Sequence, residues 1–88
     1  VKRYKDDSKN LEILAEECAE VIQIKSKITR FGLQDRYPSG GKTNQERLEE
    51  EIGHVFAMVD VLMHRGIVTE EGVEAGRVRK LVRLEGWY

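Results

Sequence analysis

The sequence predicts an all-α fold, and three observations carry the prediction. Apolar residues recur at helical spacing over two segments of more than twenty residues. Most of the punctuating glycines, and the one proline, gather between or after those segments. No segment alternates apolar and polar residues with the period of two that a half-buried strand needs. Two long helices joined by one connection make an antiparallel hairpin, the usual half of a four-helix bundle.

The first helix is expected from about Ser8 to Phe31, with Leu11, Leu14, Ala15, Cys18, Val21, Ile22 and Ile28 at helical spacing and Gly32 placed to end it. The stretch "GLQDRYPSGGKT" that follows reads as a loop. Its "SGGKT" has the ending of a phosphate-binding P-loop, but Arg36 stands where that motif needs its first glycine, and no strand is expected before it. Arg36 and Lys42 are still placed to touch a phosphate bound by other residues. Thr43 followed by Glu46 is a capping-box signature, so the second helix is expected to start there and run to about Arg65, closed by Gly66. Thr69 is placed to cap a shorter third helix.

A chain of 88 residues makes one domain, residues 1–88, and buries a modest core, so a second copy of itself is an expected source of buried surface. A homo-oligomer, dimer or tetramer, is the expectation. Sixteen acidic residues nearly balance fifteen basic ones, which removes any bulk electrostatic reason for nucleic acid or a membrane as the main partner. Cys18 is alone and no apolar run is long enough for a signal peptide or membrane span, so a cytoplasmic location is expected. The first residue is Val1, not methionine, and residues upstream are expected.

The informative residues are acids in apolar places. At about 100° per residue, Glu12, Glu16, Gln23, Lys27 and Arg30 fall on one side of the first helix, as a solvated face should. Glu17 instead projects within about 20° of Ile24 and Ile28, with Glu20 at the edge of that apolar sector. In "LEEEIGHVFAMVD" the pattern repeats: Glu51 projects between Met58 and Leu62, and His54 lies at the edge beside Val61. Residues three apart on a helix have Cβ atoms about 5–6 Å apart, so Glu17 with Glu20 and Glu51 with His54 are local pairs that converge if the apolar faces pack. Carboxylates about 6 Å apart repel by roughly 3 kcal/mol at an effective dielectric near 20, so three of them call for a cation. Oxygen ligands suit Mg²⁺, which is commonly held by a few carboxylates together with substrate phosphates. Single Glu pairs at this spacing are common on solvated helices; two in matching apolar positions are not. Lys25 also projects into the apolar sector, and a structural ion pair with Glu17 or Glu51 is the competing account.

"EECAE" followed by "EEEIGHV" resembles the MazG-like members of the all-α nucleoside triphosphate pyrophosphohydrolases, whose signature is E-x-x-E on one helix and E-x-x-D on the next. The resemblance runs from about Leu11 to Leu62 and includes Gly53. It implies that Glu17, Glu20 and Glu51 are Mg²⁺ ligands. It further implies hydrolysis of a nucleoside triphosphate to the monophosphate and pyrophosphate, by a dimer or tetramer of helical subunits. His54 departs from the pattern, standing where the family has aspartate. Asp60 projects about 180° from Glu51 and cannot replace it, whereas Glu50 lies roughly 40° from His54 and is the nearer substitute ligand. Imidazole suits Mn²⁺ better than Mg²⁺, and it also suits the role of base towards an attacking water.

Substrate phosphates need positive side chains. Lys25 and Arg30 on the first helix and Arg79, Lys80 and Arg83 on the third are the candidates, with Phe31, Tyr37 and Trp87 as aromatic platforms for a base. Two other readings stand beside the enzyme. One is a non-catalytic helical module that dimerises and binds a partner through the basic arc of the third helix; the other is a regulatory relative that binds nucleotide without hydrolysing it.

Overall fold

The computed structural model describes residues 3–38 and 40–87. A 3-10 turn, Arg3–Lys5, leads into helix α1, Asp7–Phe31. Asp6 caps it by accepting the Lys9 N–H at 3.1 Å, satisfying one of the donors that a helix start leaves free. Its other end turns at Gly32, whose φ of 93° lies in the left-handed region glycine enters without strain, and whose N–H donates to the Ile28 carbonyl at 2.8 Å.

The connection differs from the plain loop expected. Two short antiparallel strands, β1 (Arg36–Tyr37) and β2 (Gly40–Thr43), pair within it. They are too short to show a period of two, and Gly40 and Gly41, at φ 87° and 95°, supply the turn and bulge geometry that the sequence presents only as loop glycines. At the base of this β-hairpin the chain is zipped shut. The buried Asn44 amide donates to the Gly32 carbonyl at 3.0 Å, and the Asn44 and Gln45 N–H groups donate to the Asp35 and Leu33 carbonyls, both at 2.9 Å.

Helix α2, Asn44–His64, starts on the capping box expected from Thr43 and Glu46. The Glu46 N–H donates to Thr43 Oγ1 at 3.1 Å, and the Thr43 N–H donates to the Glu46 carboxylate at 2.9 Å. Gly66, at φ 75°, follows its last turn. Helix α3, Glu70–Trp87, is capped by Thr69, whose hydroxyl accepts the Gly72 N–H at 3.0 Å. The side chain of Trp87, one of the expected aromatic platforms, lies outside the described residues.

Helices α1 and α2 pack along each other as the antiparallel pair predicted, and α3 packs against neither to a comparable degree. The far ends of the pair are tied by Arg65 Nε to Asp7 Oδ1 at 2.8 Å. The result is a thin plate, 42 × 42 × 14 Å. Among the described residues Leu62 is the only fully buried apolar side chain, while Ile22, Phe31 and Phe56 on the pair and Val78, Leu81 and Val82 on α3 stand exposed. No described helix is long and apolar enough to cross a membrane.

Candidate functional site

Packing α1 on α2 brings Glu17 against Glu51, with His54 one turn further along α2. His54 Nδ1 lies 2.9 Å from Glu17 Oε2 and 3.3 Å from Glu51 Oε2. One donor atom from each of the three residues lies within 4.8 Å of the others. Ligands of an octahedral ion with bonds of about 2.1 Å sit roughly 3–4 Å apart, so two carboxylate oxygens and an imidazole nitrogen at this spacing fit a divalent cation. Glu51 is buried, and that burial pushes its carboxyl above the usual range; a hydrogen bond with Glu17 and the Glu17 charge push the same way, and His54 opposes them. Glu51 therefore keeps its proton to a higher pH than an ordinary glutamate does.

Two members of this cluster, Glu51 and His54, line an open cavity of about 320 Å³. Glu20 and Glu50 extend the acidic side, while Lys27, Lys42 and Arg47 supply the positive side around Tyr37. The β-hairpin makes this juxtaposition, carrying Tyr37 on β1 and Lys42 on β2 over the helices. The Lys27 ammonium donates to the Tyr37 hydroxyl and stands 4.5 Å from the ring centroid, and the Arg47 guanidinium stacks at 3.8 Å. The bond from Lys27, followed by the charges of Arg47 and Lys27, holds the Tyr37 hydroxyl below the usual phenol value. Both cations thus sit against Tyr37, and among the described residues neither forms an ion pair with an acid and Arg47 Nε is buried without a hydrogen-bond partner. Lys42 is different: it pairs with Glu50, and its hydrogen bond and charge hold the Glu50 carboxyl low.

The residues singled out from sequence separate into three groups. Glu17, Glu51 and His54 converge. Glu20 lines the same cavity outside that triad, and Glu50 reaches it only peripherally, with Oε1 3.9 Å from His54 Nε2. Lys25, Arg30, Lys80 and Arg83 do not line the cavity: Arg30 stacks over Phe31 at 5.3 Å, and Arg83 borders an apolar groove on α3 with Val78, Arg79 and Val82. Among the described residues Lys25 forms no ion pair with Glu17 or Glu51, whose neighbour is the His54 imidazole. Arg36 donates to the Gly41 carbonyl and braces the hairpin.

The residues missed are Gln23 and Lys27, assigned to a solvated face, and Arg47. A signal for two of them was present, because Lys27 projects from α1 near Glu20 and Arg47 one turn before Glu51 on the His54 side. The expected use of Tyr37 as a platform for a base competes with the Arg47 guanidinium stacked on its ring and the Lys27 ammonium at its hydroxyl. Comparison of the chain with protein-family models, with curated proteins and with solved structures gives no match.

Proposed function

We propose that the chain is a metal-dependent hydrolase that splits a ribo- or deoxyribonucleoside triphosphate into the monophosphate and pyrophosphate. The observation that carries this reading is a two-carboxylate, one-imidazole cluster within 4.8 Å, of which Glu51 and His54 line a cavity that Lys27, Lys42 and Arg47 also line. Such a division suits a substrate that brings phosphate charge to both a cation and a set of basic groups. The resemblance of "EECAE" and "EEEIGHV" to the MazG-like pyrophosphohydrolases points to the same chemistry.

In this reading Glu17, Glu51 and His54 hold Mg²⁺ or Mn²⁺, which when bound screens the charge developing on phosphate oxygens. Lys27 and Arg47 hold the remaining phosphates, prepositioned by Tyr37, and Lys42 exchanges Glu50 for a phosphate oxygen. Glu20, in the cavity and outside the triad, accepts a proton from the attacking water. Because a ligating carboxylate must be ionised, loading of the site competes with the proton on Glu51.

His54 at the position of the family's aspartate favours a second reading, in which the same cavity binds nucleotide without turnover. Both are tested by incubating the protein with ribo- and deoxyribonucleoside triphosphates and either metal, following pyrophosphate release and nucleotide binding, with Glu17→Gln and Glu51→Gln as controls. Metal-dependent release lost in both variants is the expected result. Binding without release selects the second reading, and neither binding nor release with any nucleotide and either metal refutes both.

A further inference from the structure

A second cavity, of about 350 Å³, lies beside the end of α1 and strand β1. Lys27 and Tyr37 line both this cavity and the acidic one, so the two spaces adjoin across those side chains. Its volume falls within the range of about 300–1,000 Å³ usual for small-molecule sites. The chemistry of its walls differs from that of its neighbour. Phe31 and Pro38 make the lining mostly apolar, and the Phe31 side chain is 60% exposed.

One acid stands in this apolar setting. Asp35 lines the cavity, and among the described residues its carboxylate forms no hydrogen bond or ion pair. The adjacent Arg36 is engaged elsewhere, donating to the Gly41 carbonyl and standing 3.9 Å from Glu46. The backbone that carries Asp35 is fixed at the neck of the β-hairpin: its carbonyl accepts the Asn44 N–H at 2.9 Å, and the buried Asn44 amide donates to the Gly32 carbonyl. An unengaged carboxylate on a fixed backbone is placed to read a ligand.

An apolar slot with such a carboxylate suits a planar heterocycle that presents two adjacent N–H donors. Of the common nucleobases only guanine does so. Its N1–H and its N2 amino group lie side by side and match the two oxygens of a carboxylate in charge-assisted bonds. Adenine and cytosine set an amino group beside a ring-nitrogen acceptor, and uracil and thymine set one N–H between two carbonyl oxygens. Each of these would turn a lone pair towards Asp35 and leave part of the carboxylate unpaired, which is how a polar site rejects a near-isostere. Lys27 and Arg36 line the same cavity and supply donors for guanine O6 and N7.

We propose that this second cavity takes the nucleobase of the bound nucleotide and that Asp35 selects guanine. The assignment rests on the reading of the adjoining cavity as the seat of the phosphates, and adds to it the nucleobase and the residue that chooses it. The nucleotide then lies across Lys27 and Tyr37, with its phosphates towards Arg47 and Lys42 and its ring against Phe31 and Pro38.

Titration calorimetry of the full chain with Mn²⁺ and the α,β-methylene triphosphates of guanosine, inosine, adenosine, cytidine and uridine, in which the scissile oxygen is replaced, tests it. The guanosine analogue should bind at least about tenfold more tightly than the adenosine, cytidine and uridine analogues, the scale of one bidentate contact to a base edge. The inosine analogue keeps N1–H but lacks the amino group, and should fall between. Asp35→Asn preserves the shape of the side chain and the backbone bond to Asn44. It should abolish the guanosine preference while leaving the adenosine and uridine analogues near their wild-type affinity, an outcome that loss of structure would not produce. Equal affinity for all five analogues overturns the proposal, and so does a guanosine preference that survives Asp35→Asn. If the analogues bind equally while the natural triphosphates still release pyrophosphate, the guanine assignment fails and the hydrolytic reading stands. A guanosine preference lost in Asp35→Asn, with no pyrophosphate released from GTP, supports the assignment and refutes hydrolysis. Absence of binding by every analogue overturns the proposal together with the reading on which it rests.

Discussion

Replacing Glu51 by glutamine separates a metal centre from a structural ion pair. Two carboxylate oxygens within 4.8 Å of one another repel by at least about 3 kcal/mol at an effective dielectric near 20, so the ionised pair is a liability without a cation. Glutamine keeps the shape and a donor towards Glu17 while removing that charge. The metal-free variant should therefore melt no lower than the wild type at neutral pH. The pH dependence has a definite sign. The folded protein holds Glu51 above its ordinary value of 4.5, so the stability linked to its proton is full below that value and is lost as pH rises through the raised one. The difference between wild type and Glu51→Gln should change in the same interval. Adding Mn²⁺ or Mg²⁺ at about a hundred times its dissociation constant contributes about 2.7 kcal/mol, enough to raise the melting temperature of a domain this size by roughly 10–20 °C. Calorimetric or circular-dichroism melts across a metal titration measure all of this. The reasoning fails if metal raises the melting temperature of Glu51→Gln as much as that of the wild type. It fails equally if the wild type ignores both metals while Glu51→Gln is several degrees less stable.

Other perturbations probe separate parts of the structure. His54→Asp should move metal preference from Mn²⁺ towards Mg²⁺, and His54→Ala should weaken binding of either by tenfold or more, by titration calorimetry. Tyr37→Ala releases Lys27 and Arg47 from their platform and should weaken nucleotide binding by about tenfold, whereas Tyr37→Phe keeps the stacking and should lose less; equal losses would contradict the platform role. Thr43→Ala removes the hydroxyl half of the α2 capping box, a loss of about 1 kcal/mol and roughly 4–8 °C in melting temperature. Bonds from Thr43 hold the Glu46 carboxyl low, so their stabilisation is present above the ordinary carboxylate value and lost as pH falls through the lowered one. A melt series in acid should show a shallower pH dependence in Thr43→Ala.

Helix periodicity and caps were legible because they are local: Thr43 and Glu46 define the start of α2 from four residues of sequence. The acids of the Glu17–Glu51–His54 cluster were legible for a related reason, since Glu17 and Glu51 occupy positions where the apolar period demands something else. The cationic side was not. Lys27 looks solvated on α1 until the β-hairpin folds Tyr37 and Lys42 over it, and strands as short as Arg36–Tyr37 leave no period to read. Spacing within α2 puts Arg47 one turn before Glu51 on the His54 side, but its stacking on Tyr37 joins two elements, and no spacing within one helix encodes that contact. The exposed position of α3 also follows from tertiary placement and not from its own pattern.

The zipped base of the β-hairpin has a consequence for how this site can diversify. Asn44 and Gln45 fasten the chain to Gly32, Leu33 and Asp35, so the segment between Arg36 and Lys42 is attached at a closed neck. Substitutions or insertions beyond that neck change the reach and chemistry of the basic wall without altering the register of α1 on α2, and hence without moving Glu17, Glu51 or His54. The segment behaves as an exchangeable cassette: grafting a different hairpin onto the same neck would alter which anion is held while the cation-binding helices keep their geometry.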